Sequence, residues 1–471
     1  MNERSNLLQA NENISLTERI ITGFSDLAWG TPLLILLLGG GLFFLIYSRL
    51  LPFKYFRHAV AILLGKYDDP NEPGQINHYQ ALSTALAATV GMGNITGVAL
   101  AITMGGPGAI FWMWVSALLG VTTKYFTCTL AVMFRGRDSN GELQGGPMYV
   151  IVEGLGRNWR PLAVFFSVLG MIGVLPMFQV NQLTQVIRDA VLIPNNVEVG
   201  FSSNLVSGIL VALLVGVVIF GGIKRIGKVT GRMVPLMVAL YVVLVLYIIF
   251  SNTENILPSF ALIFRDAFTA NSVLGGSLGA LVITGVRRAA FSNEAGIGTA
   301  PMAHGAAKTN EPVREGLVAM MGPVVDTIIV CTMTALALIM TGVWNAGESD
   351  GITMTADAFD RAMPGIGAYL LTICVAVFSI STMLSFPYYG TKCFSFIFGA
   401  RRSYIYKWFY LLTIPLGATA TLGTVVGIFD GAYALMAFPT MISALLLSPH
   451  VLKASKDYFY RIKSKPDHGK S

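Results

Sequence analysis

About eleven apolar stretches, each roughly 20 residues long and joined by short polar connections, take up most of the 471-residue chain. Inside lipid every backbone N–H and C=O must be satisfied by protein, so only helices and closed barrels cross a bilayer. The period-2 alternation of barrel strands is missing. The runs therefore predict an all-α polytopic membrane protein, with spans near 31–50, 79–104, 107–134, 161–191, 204–222, 230–250, 268–299, 313–341, 366–397, 405–427 and 430–451. Composition agrees: 54% of the residues are hydrophobic and 12% are charged, and the mean hydropathy of +0.65 is far above that of soluble domains.

Residues 1–25 are polar and mixed in charge, and the first apolar run, TPLLILLLGGGLFFLIYSRLL, is full length. It is expected to stay as the first helix rather than be cleaved as a signal. Cys128, Cys331, Cys374 and Cys393 all lie in apolar runs without CxxC spacing and read as packing residues, not as a disulfide or zinc framework. The net charge of +7 is not a nucleic-acid signal, because alternating the loops puts most of the basic residues on one side. They run from Arg49, Lys54 and Arg57 to Arg401, Arg402 and Lys407 and the tail from Lys453 to Lys470. The other side holds Arg4, Arg19, Arg265, Arg361 and the acidic stretches ESDG and TADAFDR. The positive-inside rule then puts the N-terminus outside and the C-terminus in the cytoplasm, as in a bacterial inner membrane.

Two spans are interrupted near their middles, by GMGNITG at 91–97 and by FSNEAGIGTAP at 291–301, about 200 residues apart. Each opens a group of five spans, so the two groups cross the bilayer with opposite polarity. The expected organisation is an N-terminal segment with an extra first helix and loop (1–74), a first five-helix repeat (75–250), a second, inverted repeat (251–453) and a basic tail (454–471). Paired broken helices in inverted halves point to the binding site of a secondary transporter. Glycines can also serve only close helix packing, but two breaks in register favour the transporter.

Several stretches resemble the sodium:alanine (alanine or glycine:cation) symporter family: GGPGAIFWMWVSALLG at 105–120, GGPMYVIVEGLG, RRAAFSNEAGIGTAPMAHGAAK, GPVVDTIIVCTMTAL and STMLSFPYYG. The resemblance covers nearly the whole chain. It implies a leucine-transporter-type 5+5 inverted repeat and Na⁺-driven uptake of small neutral amino acids, with Na⁺ as coupling ion and no cofactor. Departures from the family's habit are Met92 where threonine is common, Phe386 and Thr391 for tryptophan and glutamate, Leu175 and Pro176 for Gly-Asn, and Ala289 for glycine.

Carried over, AATVGMGN implies that a sodium site takes backbone carbonyls of Ala87 and Val90, completed by the consecutive hydroxyls Ser381 and Thr382. Such hydroxyls otherwise bond back to their own helix. Thr89 and Asn94 are candidates for a second cation site, with Asn94 alternatively holding the unwound turn. For the substrate, Gly91, Met92 and Gly93 are expected to present backbone, Phe291, Ser292 and Asn293 to answer from the second break, and Phe386 to close the pocket. Gln179 and Asn181 are expected to face a central cavity, or else to tie helices together.

Lys124, Arg188, Asp189, Asp326, Glu294, Arg287 and Arg288 are charges within spans. Glu294 with Arg287 or Arg288 is the first candidate for a structural or gating ion pair. Asp326 is a candidate to pair with a base, to add charge near sodium, or to carry a proton in a proton-coupled transporter of the same fold. His58, His78, His304, His450 and His468 fall in loops or at helix ends without metal spacing. An enzyme is not expected, since neither HExxH nor a cluster of acids is present. A channel filter would come from several subunits, which two breaks in one chain do not suit.

Overall fold

The computed structural model describes residues 23–269, 278–346, 351–421 and 425–464. The N-terminal segment with Arg4 and Arg19, most of ESDG and the last basic residues of the tail lie outside the described residues. The described chain is almost wholly helical, with a two-residue hairpin pairing β1 (Gly136–Arg137) and β2 (Leu143–Gln144).

Helix α1 (Thr31–Tyr47) is followed by the first broken span, α2 (His78–Thr89) and α3 (Met92–Gly105), bent by 41°. Next come α4 (Ala109–Met133), α5 (Arg160–Gly173), α6 (Met177–Ile187), α7 (Phe201–Ile219), α8 (Gly222–Ser251) and the short α9 (Ile256–Asp266). The second broken span is α10 (Leu278–Asn293) and α11 (Thr299–His304). Then follow α12 (Pro312–Ala319), a π-helical stretch over Val324–Cys331, α13 (Thr332–Met340), α14 (Gly351–Ala362), α15 (Gly367–Phe398), α16 (Ser403–Thr419) and α17 (Ala437–Ser464).

Among the described residues eight helices are long and apolar enough to cross a membrane, or nine if the bent pair is one span. The expected spans at 268–299 and 405–427 fall short of that test, the first interrupted by its break and the second helical over 17 residues. Span 161–191 is one of the eight, with its helix interrupted once. Pro176 has no N–H to continue the helix, so α5 ends at Gly173 and α6 restarts at Met177. Helix α8 begins earlier than expected, which puts Lys224, Arg225 and Lys228 on its exposed first turns rather than in a loop.

Local chemistry accounts for the broken spans. Asn77 starts α2 through a capping box, accepting from the Gln80 amide at 2.8 Å while its own N–H donates to Gln80 Oε1 at 3.2 Å. The helix stops where Val90 and Gly91 turn extended. In the second break Glu294 (φ 56°), Gly296 (φ 88°) and Gly298 (φ 111°) all take positive φ, which interrupts the helix between Asn293 and Thr299. Helices α2, α4, α10 and α15 pack at the centre of the bundle. Large apolar residues of α7, such as Leu210, Leu213 and Val217, face outward, as a lipid-exposed surface requires.

Candidate functional site

The two breaks meet at one cavity of about 120 Å³. Its walls include Thr89, Gly91, Met92 and Gly93 from the first break, Phe291 and Glu294 from the second, Thr382 and Phe386 from α15, and Gln179 from α6. A Cβ on Gly93 would stand 3.1 Å from Ser292 Cα, so this glycine is what lets the two interruptions touch. Phe291 packs edge-on against Phe178, with ring centres 5.6 Å apart, and both rings line the cavity.

Behind this wall lies a fully buried polar hub. Asp326 Oδ1 accepts from Asn94 Nδ2 at 2.7 Å, and Oδ2 accepts from Ser292 Oγ at 2.8 Å and from Thr327 Oγ1 at 2.7 Å. Asn94 Oδ1 in turn accepts the Gly91 N–H at 2.8 Å. Asn293 Nδ2 donates to Thr327 Oγ1 at 3.1 Å, while its Oδ1 accepts the Ala295 N–H at 3.0 Å. One carboxylate thus fastens both unwound turns, with neutral donors spreading its charge. The backbone at Gly91 and Gly93 is held open toward the cavity, while Asn94, Ser292 and Asn293 point away from it as braces. Among the described residues no ion pair joins Asp326 to a base.

From α15, Ser381 Oγ lies 3.3 Å from the Ala87 carbonyl and Thr382 Oγ1 3.4 Å from that of Ala88. Both hydroxyls also donate back to Phe378 O, at 2.7 and 3.2 Å. The sequence-derived alternatives coexist here: the hydroxyls bond their own helix and reach the break. Val90, extended at the break, has its carbonyl turned out of helical register. These are neutral hard oxygens of the type that suits Na⁺. Thr89 bonds back to Leu86 O at 3.4 Å and borders the cavity, apart from Asn94.

Two expectations are corrected. Asn181 does not face the cavity: its Nδ2 donates to Gly417 O at 3.2 Å and Ala420 O at 2.8 Å, tying α6 to α16. Residues two apart on a helix differ by about 200° in direction, so Gln179 and Asn181 cannot share one face. The residues that do share it are Gln179, Gln182 and Gln185, spaced by three, and all border the cavity. That row was readable in FQVNQLTQ from its spacing. The Glu294 ion pair is also not formed. Glu294 accepts from Thr299 Oγ1, because its left-handed backbone turns it out of line with α10. Arg287 instead reaches Asp26 Oδ1 and Asp430 Oδ2, each at 3.1 Å, and Arg288 borders the cavity with Asp430. Arg188 and Asp189 pair with each other at 2.8 Å on the exposed end of their span. Of the departures from the family's habit, Met92, Leu175 and Phe386 line the cavity.

Comparison with known proteins places this geometry. Over 447 residues the chain is 40% identical to the sodium/alanine symporter AgcS of Methanococcus maripaludis, covering 93% of this chain and 96% of that protein. It is 43% identical over 457 residues to an uncharacterized transporter of Haemophilus influenzae (95% and 97% covered). It is 32% identical over 457 residues to the "probable sodium/glutamine symporter GlnT" of Bacillus subtilis (96% and 93% covered). Among solved structures, the fold is similar to that of MhsT in complex with L-phenylalanine, with a TM-score of 0.52, 14% identity, and 81% of this chain and 98% of that one covered. A Na⁺-coupled sialic acid symporter in a substrate-bound outward-open state also gives 0.52, at 12% identity and 85% and 86% coverage. Both likenesses identify the leucine-transporter-type fold that the family resemblance implies. Residues 14–470 match the sodium:alanine symporter family, and the chain belongs to that family of multi-pass membrane transporters, not to an enzyme class.

Proposed function

We propose that the protein carries small neutral amino acids, alanine or glycine, into the cell with Na⁺ by alternating access across the cell membrane, its N-terminus outside and C-terminus in the cytoplasm. One observation carries the reading: opened backbone at Gly91 and Gly93 faces the cavity, and the hydroxyls of Ser381 and Thr382 reach the carbonyls of Ala87 and Ala88 just before the same break. An α-amino acid needs donors for its carboxylate and carbonyls for its ammonium, and unwound turns offer both. Sodium held at Ala87, Val90, Ser381 and Thr382 would fix the first turn against α15, so that ion and substrate favour the same arrangement.

Alanine flux into proteoliposomes, with and without a Na⁺ gradient, tests it. Uptake driven by the gradient is expected, and sodium-independent conductance would sink the reading. Ser381→Ala or Thr382→Ala is expected to raise the sodium concentration for half-maximal uptake by about tenfold, equivalent to ~1.4 kcal/mol, with a smaller effect on alanine affinity at saturating sodium. Wild-type sodium dependence in both variants would remove the proposed cage. Uptake that follows a proton gradient in choline buffer would instead favour coupling through Asp326 or Glu294.

A second reading, a larger neutral amino acid, draws on the row Gln179, Gln182 and Gln185 and on the name of the Bacillus subtilis glutamine relative. Met92 borders the cavity between the two break glycines. Met92→Thr replaces a long apolar side chain by a short hydroxyl and is expected to change the order in which unlabelled alanine, glycine and glutamine compete by about threefold or more. An unchanged competition profile would mean that position 92 does not contact substrate.

A further inference from the structure

The far ends of the two broken spans converge on a single carboxylate. His78 opens α2, His304 closes α11, and each turns Nδ1 to a different oxygen of Glu315 on α12. The three side chains are 0%, 1% and 0% exposed. Among the described residues neither Nε2 has a hydrogen-bond partner. An orphaned polar atom in a dry interior is costly, so two in one cluster need a reason. His78 Nε2 lies 4.0 Å from Asp68 Oδ1, and Asp68 is 32% exposed at a surface mouth that Gln75 and Lys308 also line.

Around the cluster the two ends are strapped by backbone. Gln75 N–H donates to Ala306 O at 2.8 Å and Lys308 N–H to Ile76 O at 2.7 Å. Arg135 reaches Gly305 O at 2.8 Å and Thr309 O at 3.0 Å, and also bonds Ala307 O. The strap and the cluster together join the inner ends of both interrupted spans, which any opening on this side must separate.

We propose that His78, Glu315 and His304 form a proton-binding latch that holds the inner ends of the two broken spans together. The proposal rests on the transporter reading above and on its cytoplasmic placement of this end. With both Nδ1–H groups donating to Glu315, the Nε2 lone pair of His78 is free. A proton from cytoplasmic water, passing Asp68, forms an N–H bond there and places an imidazolium between the Glu315 and Asp68 carboxylates. The other groups facing the cluster are Arg314, whose charge Glu72 meets at 3.8 Å, Arg135, and the buried thiol of Cys128. His304 has Glu315 but, among the described residues, no second carboxylate in ion-pair reach. Once α2 and α11 part, His78 is a solvated imidazole of ordinary basicity, near 6.5. The joined form therefore holds the proton more tightly, and cytoplasmic acidity favours it over the open form.

The test needs no substrate. All four native cysteines are buried, so Gln75→Cys supplies one reporter thiol at the mouth of the full chain in inside-out vesicles. Its rate of reaction with a membrane-impermeant maleimide is divided, at each pH, by the rate of the same thiol in denatured protein. The ratio is expected to fall by about threefold or more between pH 8 and 5.5. His78→Gln keeps an amide donor for Glu315 without a titrating ring and is expected to flatten the curve. Asp68→Asn is expected to move its midpoint about 0.5–1 unit toward acid by removing one counter-charge. A flat ratio in the unaltered background, or the same slope with His78→Gln, overturns the latch. Should His78→Gln not fold, an unmoved midpoint with Asp68→Asn overturns it. Absent alanine uptake would overturn the proposed substrate and leave this result standing.

Discussion

Asp326→Ala is expected to abolish uptake, and the paired exchange Asn94→Asp with Asp326→Asn to restore a measurable part of it. The alanine removes the acceptor for Asn94, Ser292 and Thr327 at once, in a site with no exposure to water. Each donor so orphaned costs about 1–3 kcal/mol in a dry interior. Hydrogen bonds inside membrane bundles average only ~0.6 kcal/mol when the unfolded reference state finds other partners. Even the lower figure, over three bonds, gives about 2 kcal/mol, and a site that must hold two turns open loses at least about tenfold in occupancy for ~1.4 kcal/mol.

Asp326→Asn alone separates stability from function. Two donors converge on Oδ2 and one on Oδ1, so the new amide is expected to keep its oxygen toward Ser292 and Thr327 and to turn its NH₂ group against Asn94. Donor then faces donor, and the first turn is released while the second stays held. Adding Asn94→Asp reverses that contact: the carboxylate then standing at position 94 accepts both the new amide and the Gly91 N–H. The readouts are thermal unfolding in detergent and Na⁺-driven uptake in proteoliposomes. If Asp326→Asn transports like the parent chain, the hub is not what positions the first break; if the exchange rescues nothing beyond Asp326→Asn, the negative charge is needed at position 326 itself.

The breadth of the sequence reading follows from what periodicity can and cannot encode. Eleven apolar runs and two glycine-rich interruptions are properties of single segments, so the helical membrane fold and the pairing of the breaks were visible in the residues. Gly91, Met92, Gly93, Phe291 and Phe386, which the family resemblance offers as pocket residues, line one cavity. The roles of polar residues behind the cavity depend on which helices pack together, and no local pattern carries that. Asp326 was suspected as a lone charge, yet its function as a brace arises from donors 232 and 34 residues away. His78, His304 and Glu315 likewise carry no spacing motif and meet only because the ends of both broken spans do. The misplaced Asn181 is different: helical geometry alone was enough to assign Gln182 in its stead.

Gly91→Ala is expected to raise the sodium requirement by an order of magnitude or more, and Thr382→Ala added to it to recover stability without recovering sodium dependence. A Cβ on Gly91 would stand 2.6 Å from Thr382 Oγ1, closer than any real contact, while its backbone at φ −158° is one that alanine adopts freely. The effect is therefore steric and directed at one hydroxyl. Overpacking of this kind costs about 1–3 kcal/mol, met here by pushing the first turn away from α15. Removing the hydroxyl relieves the contact, since the remaining Thr382 Cβ is 3.9 Å away. Two explanations of a lost sodium response then part. If Thr382 serves only as packing, the double variant should regain both melting temperature and sodium affinity. If its oxygen is a sodium ligand, the double variant regains the melting temperature alone, and the sodium concentration for half-maximal uptake stays with that of Thr382→Ala, because the cage is short of the same oxygen in both.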